Sequence, residues 1–170
     1  MAQTNHLRRI RFYLAIFIVG LVLSGVTAFP LQTELQWLVS FLHAGSLQPI
    51  AESVGLLPWL ERVNQGLSTT NAHYPFLAYG TDWLAFAHLV IAVAFIGPYI
   101  DPVRNKWIIT FGLIACAGVI PLALIAGHVR GIPLGWRLID CSFGAFGAVP
   151  LALCRKLTLQ LESDPKVRKA

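Results

Sequence analysis

Residues 107–127 read WIITFGLIACAGVIPLALIAG, an unbroken apolar run with no charged side chain. A helix needs about 20 residues to cross the hydrocarbon core of a bilayer, so this run is long enough to span one unaided. Working outward, three more runs of this kind appear, and the expected spans are 10–30, 82–101, 106–127 and 134–155. The second carries one histidine, His88, and the fourth reaches full length only by including Arg137 and Asp140. Of the 170 residues, 12% are charged, about half the share of a soluble domain. The expected fold is therefore an all-α integral membrane protein, residues 1–170 forming a single polytopic domain built as a four-transmembrane-helix bundle.

Charge sets the expected orientation. Arg8, Arg9 and Arg11 precede the first span, Arg104 and Lys106 separate the second from the third, and Arg155, Lys156, Lys166, Arg168 and Lys169 close the chain. If all four spans cross, these ten of the thirteen Lys and Arg share one side, which the positive-inside rule makes cytoplasmic. Both termini and the tail 156–170 are then inside, in a plasma or bacterial inner membrane, and residues 31–81 outside. The net charge of +5 is a topology signal and calls for no nucleic acid. Residues 26–28, Val-Thr-Ala, also fit the small-residue pattern of a signal-peptidase site. The apolar run before them is longer than most signal h-regions, which favours a retained anchor.

Residues 31–81 are too apolar for a linker. Thr33, Gln36, Ser40 and His43 recur at helical spacing, with Leu35, Trp37, Leu38, Val39, Phe41 and Leu42 around them. A helix over 33–43 with so narrow a wet stripe belongs in the interface or on the bundle. Thr33 and Gln36 suggest a capping box. A second short helix is expected to begin near Pro58 and to close at Gly66, followed by a polar loop, STTNAHYP. Together these make a short helical extracytoplasmic lid between the first two spans.

Small residues at packing distance predict close helix contacts: Gly112 with Cys116, Ala123 with Gly127, Gly144 with Ala148. Pro98, Pro121 and Pro150 are expected to kink spans two, three and four. Cys116, Cys141 and Cys154 form neither a disulfide framework nor a CxxC site and read as small packing residues. GVIPLAL at 118–124 is echoed by GAVPLAL at 147–153, a match short enough to arise by chance in apolar sequence.

Ionisable groups inside a membrane are costly and default to the protein interior or a wet cavity. His73, Asp82, His88, His128, Arg130, Arg137 and Asp140 all fall on the outer side of the expected topology, as candidates for one outer-leaflet polar pocket. Arg137 and Asp140, three apart, share a helix face, and a mutual ion pair is the structural alternative to a functional wall. Three functions compete. The leading one is a non-catalytic accessory subunit, or a binder of a lipid, quinone or other apolar ligand, because HExxH, nucleophile-elbow and P-loop motifs are all missing. The first alternative is a membrane-embedded enzyme, metal-dependent or acid–base, acting on a lipid-like substrate. The second is a b-type haem protein with His88 and His128 as axial ligands, weakened by the unequal depth of the two histidines. Haem or a divalent metal on His88 and His128 are thus the cofactors to test. The bilayer, a lipid- or quinone-like ligand, and a membrane-protein partner or second copy are the expected partners.

Overall fold

The computed structural model describes residues 2–163; the end of the expected tail, 164–170, lies outside them. Among the described residues every regular element is a helix, with no strand. In chain order they form α1 (Ala2–Ala28), α2 (Leu31–Ala44), α3 (Gln48–Ser53), α4 (Leu56–His73), a 3-10 turn (Pro75–Ala78), α5 (Tyr79–Ala94), α6 (Ile96–Ile100), α7 (Lys106–Val129) and α8 (Leu134–Glu162). Four stretches are long and apolar enough to cross a membrane: Thr4–Ala28, Pro75–Ile100, Lys106–Val129 and Leu134–Glu162. That is the signature of an integral membrane protein. The chain divides into two compact units, Met1–Val22 with Val90–Ala170, and Leu23–Leu89, the division falling within α1 and α5.

In the first unit, the core is made by Ile10, Leu14, Phe95, Ile109, Cys116, Leu151, Cys154, Leu157 and Leu161. Lipid tails are as apolar as these side chains, so the helices gain from close packing rather than from leaving water. Glycine permits that approach. Gly144 sits so tightly on α7 that a Cβ there would lie 2.5 Å from the Cys116 carbonyl oxygen. A Cβ on Gly112 would meet Phe95 at 2.6 Å and Leu151 at 2.7 Å. Gly112, Cys116, Gly127 and Gly144 are all buried, as their spacing implies. Cys116 and Cys154 fill the seam as free thiols, and Cys154 Sγ–H donates to the Ile10 carbonyl.

One end of this unit collects basic residues. The Arg11 guanidinium donates to the Tyr99 carbonyl (3.2 Å) and lies over the Tyr99 ring, which ties the start of α1 to the end of α6. Lys106 pairs with Glu162, which ties the start of α7 to the end of α8. Between α6 and α7, the Asn105 side-chain amide donates to the carbonyls of Gly97 and Asp101, while Asp101 accepts the Arg104 N–H. The turn DPVRN is closed by its own side chains.

The proline expectations divide. Pro121 and Pro150 lie inside continuous helices, but the second span breaks at Phe95 into α5 and α6. Pro98 has no N–H to return to Ala94, and its ring crowds that carbonyl. At the other end of α7, Gly131 adopts φ +69°, with Ile132 N–H bonded to the Gly127 carbonyl and Gly131 N–H to that of His128. This is a Schellman cap, and glycine supplies the left-handed residue it needs.

In the second unit, α2 packs on α4 through Leu35, Leu42, Leu57 and Leu60, with Ala51 of α3 also buried. The α2 helix is present where the spacing puts it, but it starts at Leu31 behind Pro30 and has no side-chain cap, so the Thr33–Gln36 capping box does not form. Thr33 is already inside the first turn. Three stripes run along α2: the buried leucines, the wet Thr33, Gln36, Ser40 and His43, and an exposed apolar stripe led by Trp37 (80% exposed) and Phe41 (65%). The α4 helix corrects the expected boundary. It does not close at Gly66 but runs on to His73, so most of the supposed polar loop is helix. A mid-helix glycine costs only about 1 kcal/mol, and hydrogen bonds from the next two turns to α2 offset it. Elsewhere in this unit, α1 and α5 touch where a Cβ on Gly25 would meet the Ala85 carbonyl at 2.9 Å.

Candidate functional site

The seven ionisable candidates fall in both units. His73, Asp82 and His88 belong to the second, and His128, Arg130, Arg137 and Asp140 to the first. In the first unit the geometry is mainly structural. His128 and Arg130 are exposed at the C-terminal end of α7, where the positive charge of Arg130 suits the helix dipole. Arg137 is half-buried. Its Nη1–H donates to the Leu124 carbonyl (3.2 Å), and its Cγ and Cδ lie where a Cβ on Gly127 would be, 2.7 and 2.6 Å from it. Asp140 is half-buried too, yet no ion pair joins it to Arg137. The mutual pair that their three-residue spacing offered as the structural alternative does not form, and the arginine bonds to α7 backbone instead. Within this unit neither residue bonds to His128 or Arg130.

In the second unit two histidines are held locally. His73 Nδ1–H donates to the Thr69 carbonyl (2.9 Å), and His88 Nδ1–H to that of Leu84 (2.8 Å). Because a carbonyl can only accept, each bond places a proton on Nδ1. Asp82 stands differently. It is half-buried in the first turn of α5 and lines a cavity of about 380 Å³. Among the described residues it has no hydrogen-bond or ion-pair partner.

The cavity is bounded by the Phe29–Thr33 segment, by α4 around Gly66–Asn71, and by the Leu77–Asp82 segment. Its size falls in the range of small-molecule pockets. Phe29, Leu31, Leu67 and Leu77 make it greasy, and Gln32, Thr33, Thr70, Asn71, Thr81 and Asp82 make one side polar. The amides are braced. Asn71 Nδ2–H donates to Gln32 Oε1 (2.6 Å), and Gln32 Nε2–H donates to Ser68 Oγ (3.1 Å). This chain of bonds fixes the side-chain orientation of both amides and directs a donor of each inward to the other helix. Asn71 Oδ1, the threonine hydroxyls and the Asp82 carboxylate remain to face a guest. Among the described residues no Lys, Arg or His lines the space.

Of the sequence-predicted residues, then, Asp82 lines this cavity, while His73 and His88 do not. Gln32, Thr70, Asn71 and Thr81 were missed. For Thr70 and Asn71 the available signal was their spacing of three and four from Leu67, hidden by the assignment of residues 68–75 to a loop. Among the described residues no three His, Cys, Asp or Glu side chains gather as a metal-holding group, so the metal-dependent enzyme gains no support from this geometry. No protein-family model, curated protein or solved structure matches the chain, and its chemistry has to be argued from its own residues.

Proposed function

We propose that this is a multi-pass membrane protein that binds an amphiphile without catalysis, holding a hydrogen-bond-donating head in the Asp82 cavity and an apolar body against Phe29, Leu31, Leu67 and Leu77. The observation that carries this reading is the unpartnered Asp82 carboxylate on the wall of a cavity whose two side-chain amides, Gln32 and Asn71, are already braced. A carboxylate and a row of hydroxyls accept hydrogen bonds, and a wall of that kind, with no cation in it, disfavours a phosphate. An ammonium head, or a pair of hydroxyls as on a quinol, fits best. The chain would act as a carrier or as an accessory subunit that presents its ligand to a partner.

A charge-reversed pair of probes tests it. Purified protein is irradiated with a photoreactive long-chain amine and, separately, with the matching long-chain carboxylic acid. The amine should label peptides from 29–33 and 66–82, and the acid should not. Asp82→Asn should lower amine labelling by about tenfold or more, the worth of one charged hydrogen bond. Equal labelling by both probes, or by wild type and Asp82→Asn, would sink the idea.

The orientation belongs to the same proposal: both termini cytoplasmic, residues 31–81 outside, in a plasma or bacterial inner membrane. The Lys/Arg bias supports it. So do the Arg11–Tyr99 and Lys106–Glu162 contacts, which gather three basic segments at one end of the first unit. A C-terminal epitope tag should resist protease added to intact cells and be cut in inverted vesicles. Cleavage in intact cells would reverse the assignment.

A further inference from the structure

A second cavity, of about 470 Å³, lies in the first unit where α7 begins and α8 ends. It shares no residue with the Asp82 cavity. Leu113, Ala152 and Leu159 make it apolar, and Arg155, Lys156 and Gln160 make its rim polar. Position in the helix explains the layering. From Leu134, about 20 residues cross the hydrocarbon, so α8 leaves the apolar core near Cys154, and its last two turns stand at headgroup level. The inward face of those turns, Leu157, Thr158 and Leu161, is buried in the unit's core. The outward face therefore presents Ala152, Lys156, Leu159, Gln160 and Ser163 in register, with Arg155 beside them.

Among the described residues the charges there are uncompensated. Glu162, the nearby acid on α8, is taken by Lys106. Among the described residues Arg155 and Lys156 have no acidic partner, although both are exposed and sit together on the cavity. Three more basic residues, Lys166, Arg168 and Lys169, and one acid, Asp164, follow in the sequence, so the balance at this end of the chain stays positive. An apolar slot open to the acyl region, crowned by a guanidinium and an ammonium at headgroup depth, complements one class of molecule.

We infer that this cavity seats one anionic phospholipid, with its phosphate between Arg155 and Lys156 and an acyl chain along Leu113, Ala152 and Leu159. The guanidinium offers a bidentate fork to the phosphate oxygens and the ammonium a point charge. The Gln160 amide can donate to a glycerol or phosphate oxygen. Basic pockets between spans at the membrane surface recognise such head groups in this way. The inference needs only the depth of the spans and does not depend on their orientation or on the Asp82 ligand.

The test titrates full-length protein in neutral detergent with fluorescent phosphatidylglycerol and with fluorescent phosphatidylcholine of the same chains. Phosphatidylglycerol should bind tighter. Arg155→Gln should weaken it about 5-fold, and the double variant with Lys156→Gln about 30-fold, from the worth of one basic residue near an anionic surface. The swap Arg155→Lys with Lys156→Arg keeps both charges and should keep binding, which separates the site from a folding defect. Arg8→Gln with Arg9→Gln removes the same charge elsewhere in the unit and should change little. The proposal is overturned if that control weakens binding as much as the Arg155–Lys156 variant does. It is equally overturned if phosphatidylcholine binds as well, or if inorganic phosphate displaces the lipid at millimolar concentration, which would mean an anion site without acyl recognition.

Discussion

Gly144→Leu should prevent the first unit from folding, and Gly144→Ala should cost it about 1–3 kcal/mol, the ordinary penalty for overpacking a rigid contact. The atom in the way is the Cys116 carbonyl oxygen, 2.5 Å from the Cβ position, with Val119 Cβ at 3.4 Å behind it. A backbone oxygen cannot swing aside as a side chain can, so α7 and α8 would have to separate. Separation is expensive here because packing and close backbone approach drive association of spans in lipid, where the hydrophobic effect between helices is absent. Gly118 is the internal control. It lies on α7 with nothing within 4 Å of its Cβ position, so Gly118→Ala should be neutral or gain up to about 1 kcal/mol of helix propensity. Thermal unfolding of the two alanine variants in the same detergent makes the comparison. If Gly118→Ala proved as damaging as Gly144→Ala, the α7–α8 seam would be in the wrong place.

The spans are legible in the sequence because an apolar run near bilayer length can hardly be accommodated anywhere but in a bilayer, and apart from the break at Phe95 their interiors follow the pattern. Their ends do not, for physical reasons that differ from end to end. Hydropathy stops the fourth span at 155, but α8 continues to Glu162 because Leu157, Thr158 and Leu161 keep facing the core beyond the apolar run. Hydropathy falls there while the packing period continues. Gly66 reads as a stop signal, yet Ser68 and Asn71 extend α4 by bonding Gln32, a partner 36 and 39 residues away that no local pattern reveals. The same separation in sequence hides the cavity. Asp82 stands out as an acid at the edge of an apolar run, whereas Gln32 and Asn71 are ordinary in sequence and acquire meaning only when α2 and α4 meet.

The charged stretch HVRGIPLGWRLID, residues 128–140, leads to a double-mutant experiment whose outcome depends on which partner Arg137 has. Gly127→Ala should destabilise by about 1–3 kcal/mol, because the new Cβ would occupy the space of Arg137 Cγ and Cδ and force the guanidinium off the Leu124 carbonyl. Arg137→Ala alone loses that charged hydrogen bond, about 1.5–3 kcal/mol. The loss is offset in part, since a cation at the centre of a span costs about 2.5–3.5 kcal/mol and less towards the interface. With Arg137 already truncated, the methyl at 127 meets only Ile132 Cβ at 3.8 Å, an ordinary contact, so the double variant should be no less stable than Arg137→Ala. The coupling between 127 and 137 is then nearly the whole effect of Gly127→Ala. Arg137 and Asp140 should behave in the opposite way. With no ion pair between them, the losses from Arg137→Leu and Asp140→Leu should add to within about 0.5 kcal/mol. Coupling above that between 137 and 140, with none between 127 and 137, would show that the arginine answers to the aspartate. The arrangement in which it packs across Gly127 to reach the backbone of α7 would then be wrong.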